Sequence, residues 1–171
     1  QFGVMYNYDK VPDLLKLPNS NILEIERQVS SVLRSSELPT TYFGAALAGS
    51  LIPWIDVATT NGQTREEWKG LVETNKILGL KPNTIMVDGI CTRVGSLRCH
   101  SQALTIKLTD PNISLDDIND LLANANPWVK LVPNTKEDTM KYLTPAYISG
   151  AVNIAVGRVR KLNLGPEYLT L

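Results

Sequence analysis

Thr64 and Glu67 stand ahead of a run with helical apolar spacing, and this pair constrains the chain more than any other feature. A hydroxyl at the N-cap and a glutamate at the third helical position satisfy two orphan amides reciprocally. A helix is therefore predicted from Arg65, with Trp68, Leu71, Val72 and Leu78 apolar and Gly79 stopping it. Glu66, Lys69, Glu73 and Lys76 then share one face, and their spacing is that of a solvated face with mutually supporting ion pairs.

After this helix the period changes. Thr84 to Val94 carries β-branched and small residues and reads as a strand, and Ser101 to Leu108 alternates, with Leu104, Ile106 and Leu108 on one side. The two strands bracket a tight turn or bulge at Gly95-Ser96. Arg93 would end the first and His100 begin the second, bringing a cation and the chain's one histidine to the same sheet end. An imidazole there is suited to proton transfer near neutral pH, although a structural role is as common for a histidine among polar neighbours. Cys99 beside His100 invites a nucleophile-and-base reading, but neighbours on a strand point to opposite faces, so the two side chains should diverge. Cys91, between Ile90 and Val94, reads as a core residue.

The remaining chain supplies further helices and strands. A short turn of helix is expected at Asp13–Leu17 and an amphipathic helix over 21–34, with Ile22, Ile25, Val29, Val32 and Leu33 on one stripe. Phe43 to Ser50 reads as close-packed irregular structure, with a phosphate cradle as the sharper alternative. Ser114 with Asp117 caps a helix through Leu115, Ile118, Leu121 and Leu122. Trp128 to Val132 is a short strand, Thr135 to Tyr142 one helical turn or two, and Tyr147 to Leu162 strand-like. Helices interleaved with antiparallel-type strands make an α+β fold.

Composition bounds the function classes. A chain of 171 residues with 43% hydrophobic and 20% charged residues suits one globular domain, 1–171, with a single core. Its 17 basic and 17 acidic residues cancel without a run of like charge, so neither nucleic acid nor an anionic membrane is an expected partner. No apolar stretch approaches the roughly 20 residues of a membrane helix, and no signal peptide opens the chain. Two cysteines are too few for a disulfide framework and lack the companions of a zinc site, so no metal is expected and a reducing, cytoplasmic compartment fits. Gln1 begins in mid-pattern and residues 164–171 enter a new strand pattern and stop, so a piece of a longer protein is expected.

Several long blocks carry a resemblance. Gly49-Ser50-Leu51-Ile52-Pro53-Trp54-Ile55-Asp56, Glu66-Glu67-Trp68-Lys69-Gly70, Glu73-Thr74-Asn75-Lys76-Ile77-Leu78, Arg93-Val94-Gly95-Ser96-Leu97-Arg98-Cys99-His100-Ser101-Gln102 and Val156-Gly157-Arg158-Val159-Arg160-Lys161-Leu162 resemble the aspartate-semialdehyde dehydrogenases of Gram-negative bacteria, from about Ile22 onward.

The resemblance implies the catalytic and dimerisation half of a glyceraldehyde-phosphate-dehydrogenase-like protein, a mixed sheet with helices on one face. It implies a homodimer in which NADPH reduces L-aspartyl 4-phosphate to L-aspartate 4-semialdehyde with release of phosphate, on the route to lysine, threonine and methionine. By motif, His100 matches the family's acid/base. Arg93 matches the arginine on the substrate carboxylate, Glu66 the carboxylate facing the substrate ammonium, and Lys69 a lysine of the phosphate site.

The family's NADP-binding half and its nucleophilic cysteine loop have no counterpart here, so the chain alone is expected to be inactive and not to bind NADP. Self-association is expected, because the sheet face opposite the helices would otherwise expose apolar surface. The rival reading is a non-catalytic dimerising domain that binds a small anion.

Overall fold

The computed structural model describes residues 40–96 and 99–171, with Arg27, Ser31 and Ser35 besides. The expected turn at Asp13–Leu17 and Arg98 lie outside these, as does the helix over 21–34 except for Arg27 and Ser31, which are helical. In chain order the elements are β1 (Leu51–Ile52), α1 (Arg65–Ile77), β2 (Arg93–Val94), β3 (Thr105–Lys107), α2 (Leu115–Asn124), β4 (Val129–Leu131), α3 (Lys136–Tyr142), α4 (Pro145–Ile148), β5 (Ile154–Val156), β6 (Arg160–Lys161) and β7 (Tyr168–Thr170). The class is α+β, as the interleaved signals predict.

The helices start where their caps place them. Thr64 Oγ1 accepts from the Glu67 amide and the Glu67 carboxylate accepts from the Thr64 amide, completing the expected capping box of α1. Ser114 caps α2 through the Asp117 amide, and Thr135 caps α3 through the Asp138 amide. At Thr144, whose hydroxyl accepts from the Tyr147 amide, Pro145 takes the first helical position and opens α4. Residues 147–148, the start of the strand-like stretch expected over 147–162, are therefore helical. The remainder of that expected strand divides into β5 and β6 around Arg158, which adopts φ +59.

The strands form three short sheets among the described residues, not one mixed sheet: β1 with β2, β3 with β7 and β6, and β4 with β5. β4 and β5 run parallel, Lys130 opposite Ala155. That corrects the antiparallel expectation, and the reason is the intervening chain: two helices carry it back to the same edge in the same direction. The two strands expected to bracket Gly95-Ser96 also part company, since β2 pairs with β1 and β3 pairs with β7.

Of the strand expected over 84–94, only Arg93 and Val94 are β-paired. The backbone before them finds its partners in side chains instead. Asn75 Oδ1 accepts from the Ile85 amide at 2.9 Å while its Nδ2 donates to the Ile85 carbonyl at 2.8 Å, a substitute for a ladder rung. Asn163 donates to the Val87 carbonyl, Arg160 to the Gly89 carbonyl, and the Cys91 amide donates to Glu67. Buried backbone groups need partners, and three other elements supply them to this segment.

The apolar core gathers Ile118, Val159 and Leu169, with Leu108, Leu122 and Val156 against them. A second buried region, around Ile52, Trp54 and Leu71, is mixed with polar residues. Residues 43–50 are the expected close-packed irregular stretch, with Ala45, Ala48 and Ser50 buried. Gly95 crosses this stretch in contact: its amide donates to the Ser50 carbonyl at 2.8 Å, and a Cβ would collide with the Leu47 carbonyl oxygen. Neither atom is a side chain that can swing away. Gly95→Ala is therefore expected to lower stability by about 1–3 kcal/mol, measured as a fall in the urea midpoint at unchanged slope.

Candidate functional site

The site is built on buried charge. The capping box turns Glu67 inward and its neighbours Glu66 and Lys69 outward, so Glu67's side chain is wholly buried while theirs are part exposed. Arg158 Nη2 donates to both carboxylate oxygens of Glu67, at 2.6 and 2.7 Å. The same oxygens accept from the Thr64 amide at 2.8 Å and the Cys91 amide at 3.1 Å. One carboxylate thus joins the start of α1, the segment entering β2 and the chain between β5 and β6.

Arg158 is held on its other edges. Its Nη1 donates to Asn134 Oδ1 at 2.7 Å, and its guanidinium lies 4.4 Å from the Trp54 ring centre. Beside this pair is a second one, in which Arg160 donates to both oxygens of Asp88 at 2.7 and 3.0 Å. Asp88 also accepts from Gln63 and from the Asn163 amide. Glu67, Asp88, Arg158 and Arg160 are two anions and two cations, so the buried group is neutral overall.

A cavity of about 740 Å³ opens beside this frame, with Thr92, Cys99, His100, Pro145, Ile154 and Arg158 in its wall. His100 is exposed and lies outside any strand, since β3 begins only at Thr105. Cys99 sits at φ +67, so the strand geometry expected to send Cys99 and His100 to opposite faces does not exist here, and both line the same cavity. Arg93 lies over the Phe43 ring at 5.2 Å, and Phe43 belongs to the wall of a second, more open cavity of about 1050 Å³.

Glu66 and Lys69 pair with each other at 2.8 Å on the outer face of α1. The structure thus joins Glu66 to Lys69 directly, and it sets both apart from the cavity that His100 lines. Glu73 and Lys76 are exposed on the same helix.

The electrostatics follow from these contacts. The Glu66 carboxylate beside Lys69 raises its ammonium pKa. Burial, then the Glu67 and Glu66 charges, push the Cys91 thiol above its ordinary 9.0, so Cys91 is a neutral thiol at neutral pH. Burial pushes the Asp88 carboxyl up, but the bonds from Arg160, Asn163 and Gln63 together outweigh it and hold Asp88 below its ordinary 3.8. Among the described residues no group of His, Cys, Asp and Glu has the makings of a metal site, and no helix is long and apolar enough to cross a membrane.

A phosphate cradle at residues 43–50 does not fit. The Gly44 amide is spent on the Thr40 carbonyl and the Ser50 amide on the Leu47 carbonyl, and no helix starts there to present free donors.

Spacing singles out Glu67 only as a cap, and it does not single out Asp88, Arg158 and Arg160. Their one local signal is a pair of arginines alternating with valine in an otherwise apolar run, at 156–160.

A family model described as semialdehyde dehydrogenase, dimerisation domain, matches residues 19–171. The aspartate semialdehyde dehydrogenase from Francisella tularensis is 40% identical over 99% of this chain and 45% of its own, with a TM-score of 0.44. Aspartate semialdehyde dehydrogenase II from Vibrio cholerae, complexed with ASA, is 28% identical over 75% of this chain and 36% of its own, with a TM-score of 0.37. A second structure of that Vibrio enzyme is 27% identical over 80% of this chain and 38% of its own, with a TM-score of 0.36. The chain therefore spans less than half the length of each, and the kinship rests on sequence, not on superposition.

The buried quartet carries a pH dependence. With its folded pKa below 3.8, Asp88 contributes stability that is complete above the unfolded value and is lost as pH falls through the folded one. Asp88→Asn is expected to cost about 3–5 kcal/mol at neutral pH, because buried Arg160 loses its bidentate carboxylate and keeps only a 3.7 Å contact with Glu67 as its charged neighbour. It should also flatten the acid side of the stability profile, checked by urea unfolding at a series of pH values from neutral downward.

Proposed function

The chain belongs to the semialdehyde dehydrogenase dimerisation-domain family, among the aspartate semialdehyde dehydrogenases, and from that premise we propose that it is the substrate half of an NADP-dependent enzyme that converts aspartyl phosphate to aspartate semialdehyde in amino-acid biosynthesis. The observation that carries the reading is the family match over residues 19–171. The glyceraldehyde-phosphate-dehydrogenase-like relationship, the single-domain character of 1–171 and a cytoplasmic site of action belong to the same proposal.

In this reading His100 moves the proton. From the cavity wall it takes a proton from the attacking thiol and later returns one to the substrate oxygen, the general acid/base role of an imidazole. That thiol is not Cys91, whose pKa is raised and whose amide serves Glu67. Arg93 grips the substrate carboxylate, Glu66 meets the substrate ammonium and Lys69 meets phosphate. The short Glu66–Lys69 pair supports a site in which a zwitterionic substrate and an anion exchange partners with a resident ion pair.

In this reading NADP is held elsewhere in the full-length enzyme, and this chain's own part is binding, orientation and proton transfer. The chain alone is inactive in this reading. A homodimer is favoured by apolar side chains left at the surface, Val94 at 69%, Val152 at 74% and Ile154 at 62% exposure.

The test uses the full-length enzyme and steady-state kinetics. His100→Asn should lower kcat by about 10²- to 10⁴-fold with KM little changed. Arg93→Lys keeps the charge but loses the two-pronged geometry, so KM for aspartate semialdehyde should rise more than kcat falls, with kcat/KM down by roughly 10- to 150-fold. A near-normal kcat in the first variant removes His100 from the chemistry. An unchanged KM in the second assigns Arg93 to the fold.

A further inference from the structure

An N3 glutamate that served only as a cap would accept the Thr64 amide and leave its second oxygen to water. Glu67 does more, and where its other bonds go is informative. Its neighbour in sequence is Glu66, and Lys69 lies half a helical turn on, so moving the start of α1 moves both. Its oxygen also holds the Cys91 amide, and Arg93 follows Cys91 by two residues of chain, roughly 7 Å when extended. Arg158, itself in the cavity wall, clamps the carboxylate from the third side.

We propose that Glu67 is a positioning residue for the substrate site: its buried carboxylate sets the spacing between the helix that carries Glu66 and Lys69 and the segment that carries Arg93. The proposal rests on the substrate roles given above for those three side chains. It assigns Glu67 no contact with substrate. The bonds at 2.6–3.1 Å leave little room for the two segments to drift, and with all side-chain surface buried no water is at hand to replace a lost acceptor. His100 approaches from residues 99–104, which Glu67 does not touch. A change at Glu67 should therefore act on binding before it acts on proton transfer.

The experiment compares Glu67→Gln, Ile118→Ala in the apolar core and the double variant Glu67→Gln/Arg158→Gln in the full-length enzyme, assayed well below the melting point of the least stable one. Glu67→Gln orphans a buried arginine and Ile118→Ala opens a core cavity, so both should lower Tm. Only Glu67→Gln should raise KM for aspartate semialdehyde, by about 10- to 100-fold, as expected when binding groups are displaced by an ångström or so. Its kcat and its KM for NADP should stay within about threefold of wild type, and Ile118→Ala should keep all three constants there.

The double variant removes the orphaned charge, so its Tm should recover while its KM for aspartate semialdehyde stays raised. Recovery of KM along with Tm overturns the proposal, as does a KM for Glu67→Gln no different from that of Ile118→Ala. Arg93→Lys, run alongside, separates the two readings. If Arg93→Lys raises KM and Glu67→Gln does not, positioning alone fails; if neither does, the substrate assignment fails and takes the positioning role with it.

Discussion

Two carboxylates and two guanidinium groups are packed out of contact with water, and the structure around them keeps the group neutral overall and both carboxylates bonded, while Nε of Arg158 and of Arg160 find no partner among the described residues. Desolvating each ion costs several kcal/mol, and mutual attraction returns that only with close geometry and further hydrogen bonds to the remaining lone pairs. The distances meet this demand: Arg158 to Glu67 at 2.6 and 2.7 Å, Arg160 to Asp88 at 2.7 and 3.0 Å. A hydrophobic quartet of equal volume would hold the region together as well or better. What the charges add is direction, because a carboxylate accepts from particular donors at particular places. Glu67 accepts from amides at residues 64 and 91 as well as from Arg158, and so ties together chain that no sheet connects.

This explains why the segment before Arg93 is extended without being a strand. Asn75, Asn163, Arg160 and Glu67 take up its amides and carbonyls one at a time, so its course is dictated by side chains from α1 and from the β5–β7 region. Arg158 reaches its partners from φ +59, a conformation that costs a residue with a Cβ about 1–3 kcal/mol and persists only where the surroundings impose it. Bonds to Glu67 and Asn134 and the Trp54 ring beneath it supply that imposition. The side chains assigned to substrate sit on the outside of this frame, where they can meet a ligand without disturbing it.

What was legible in the sequence is what has a local cause. The capping pairs Thr64/Glu67 and Ser114/Asp117 place α1 and α2, and the short strand expected over 128–132 matches β4 to within a residue. Failures came where distant partners outvote local pattern. Alternating Val152, Ile154 and Val156 read onward into one strand through residue 162, but Thr144 with Pro145 started a helix ahead of it and Arg158 turned the chain within it. Thr84 to Val94 has strand composition, yet its hydrogen-bond partners are side chains. The Glu67–Arg158 pair spans 91 residues, so no local window shows that the capping glutamate and the arginine meet, although the long motifs around residues 66, 93 and 157 carry the family resemblance.

Native-state amide exchange at Thr64 and Cys91 tests most directly whether one carboxylate holds the helix and the segment together. Both amides donate to Glu67, so in the wild-type protein both should exchange only through openings close to global unfolding, and in Glu67→Gln both should lose protection together, beyond the loss in overall stability. Fast exchange at Cys91 in the wild type, or protection at the two sites that falls only in step with global stability in the variant, would contradict the account.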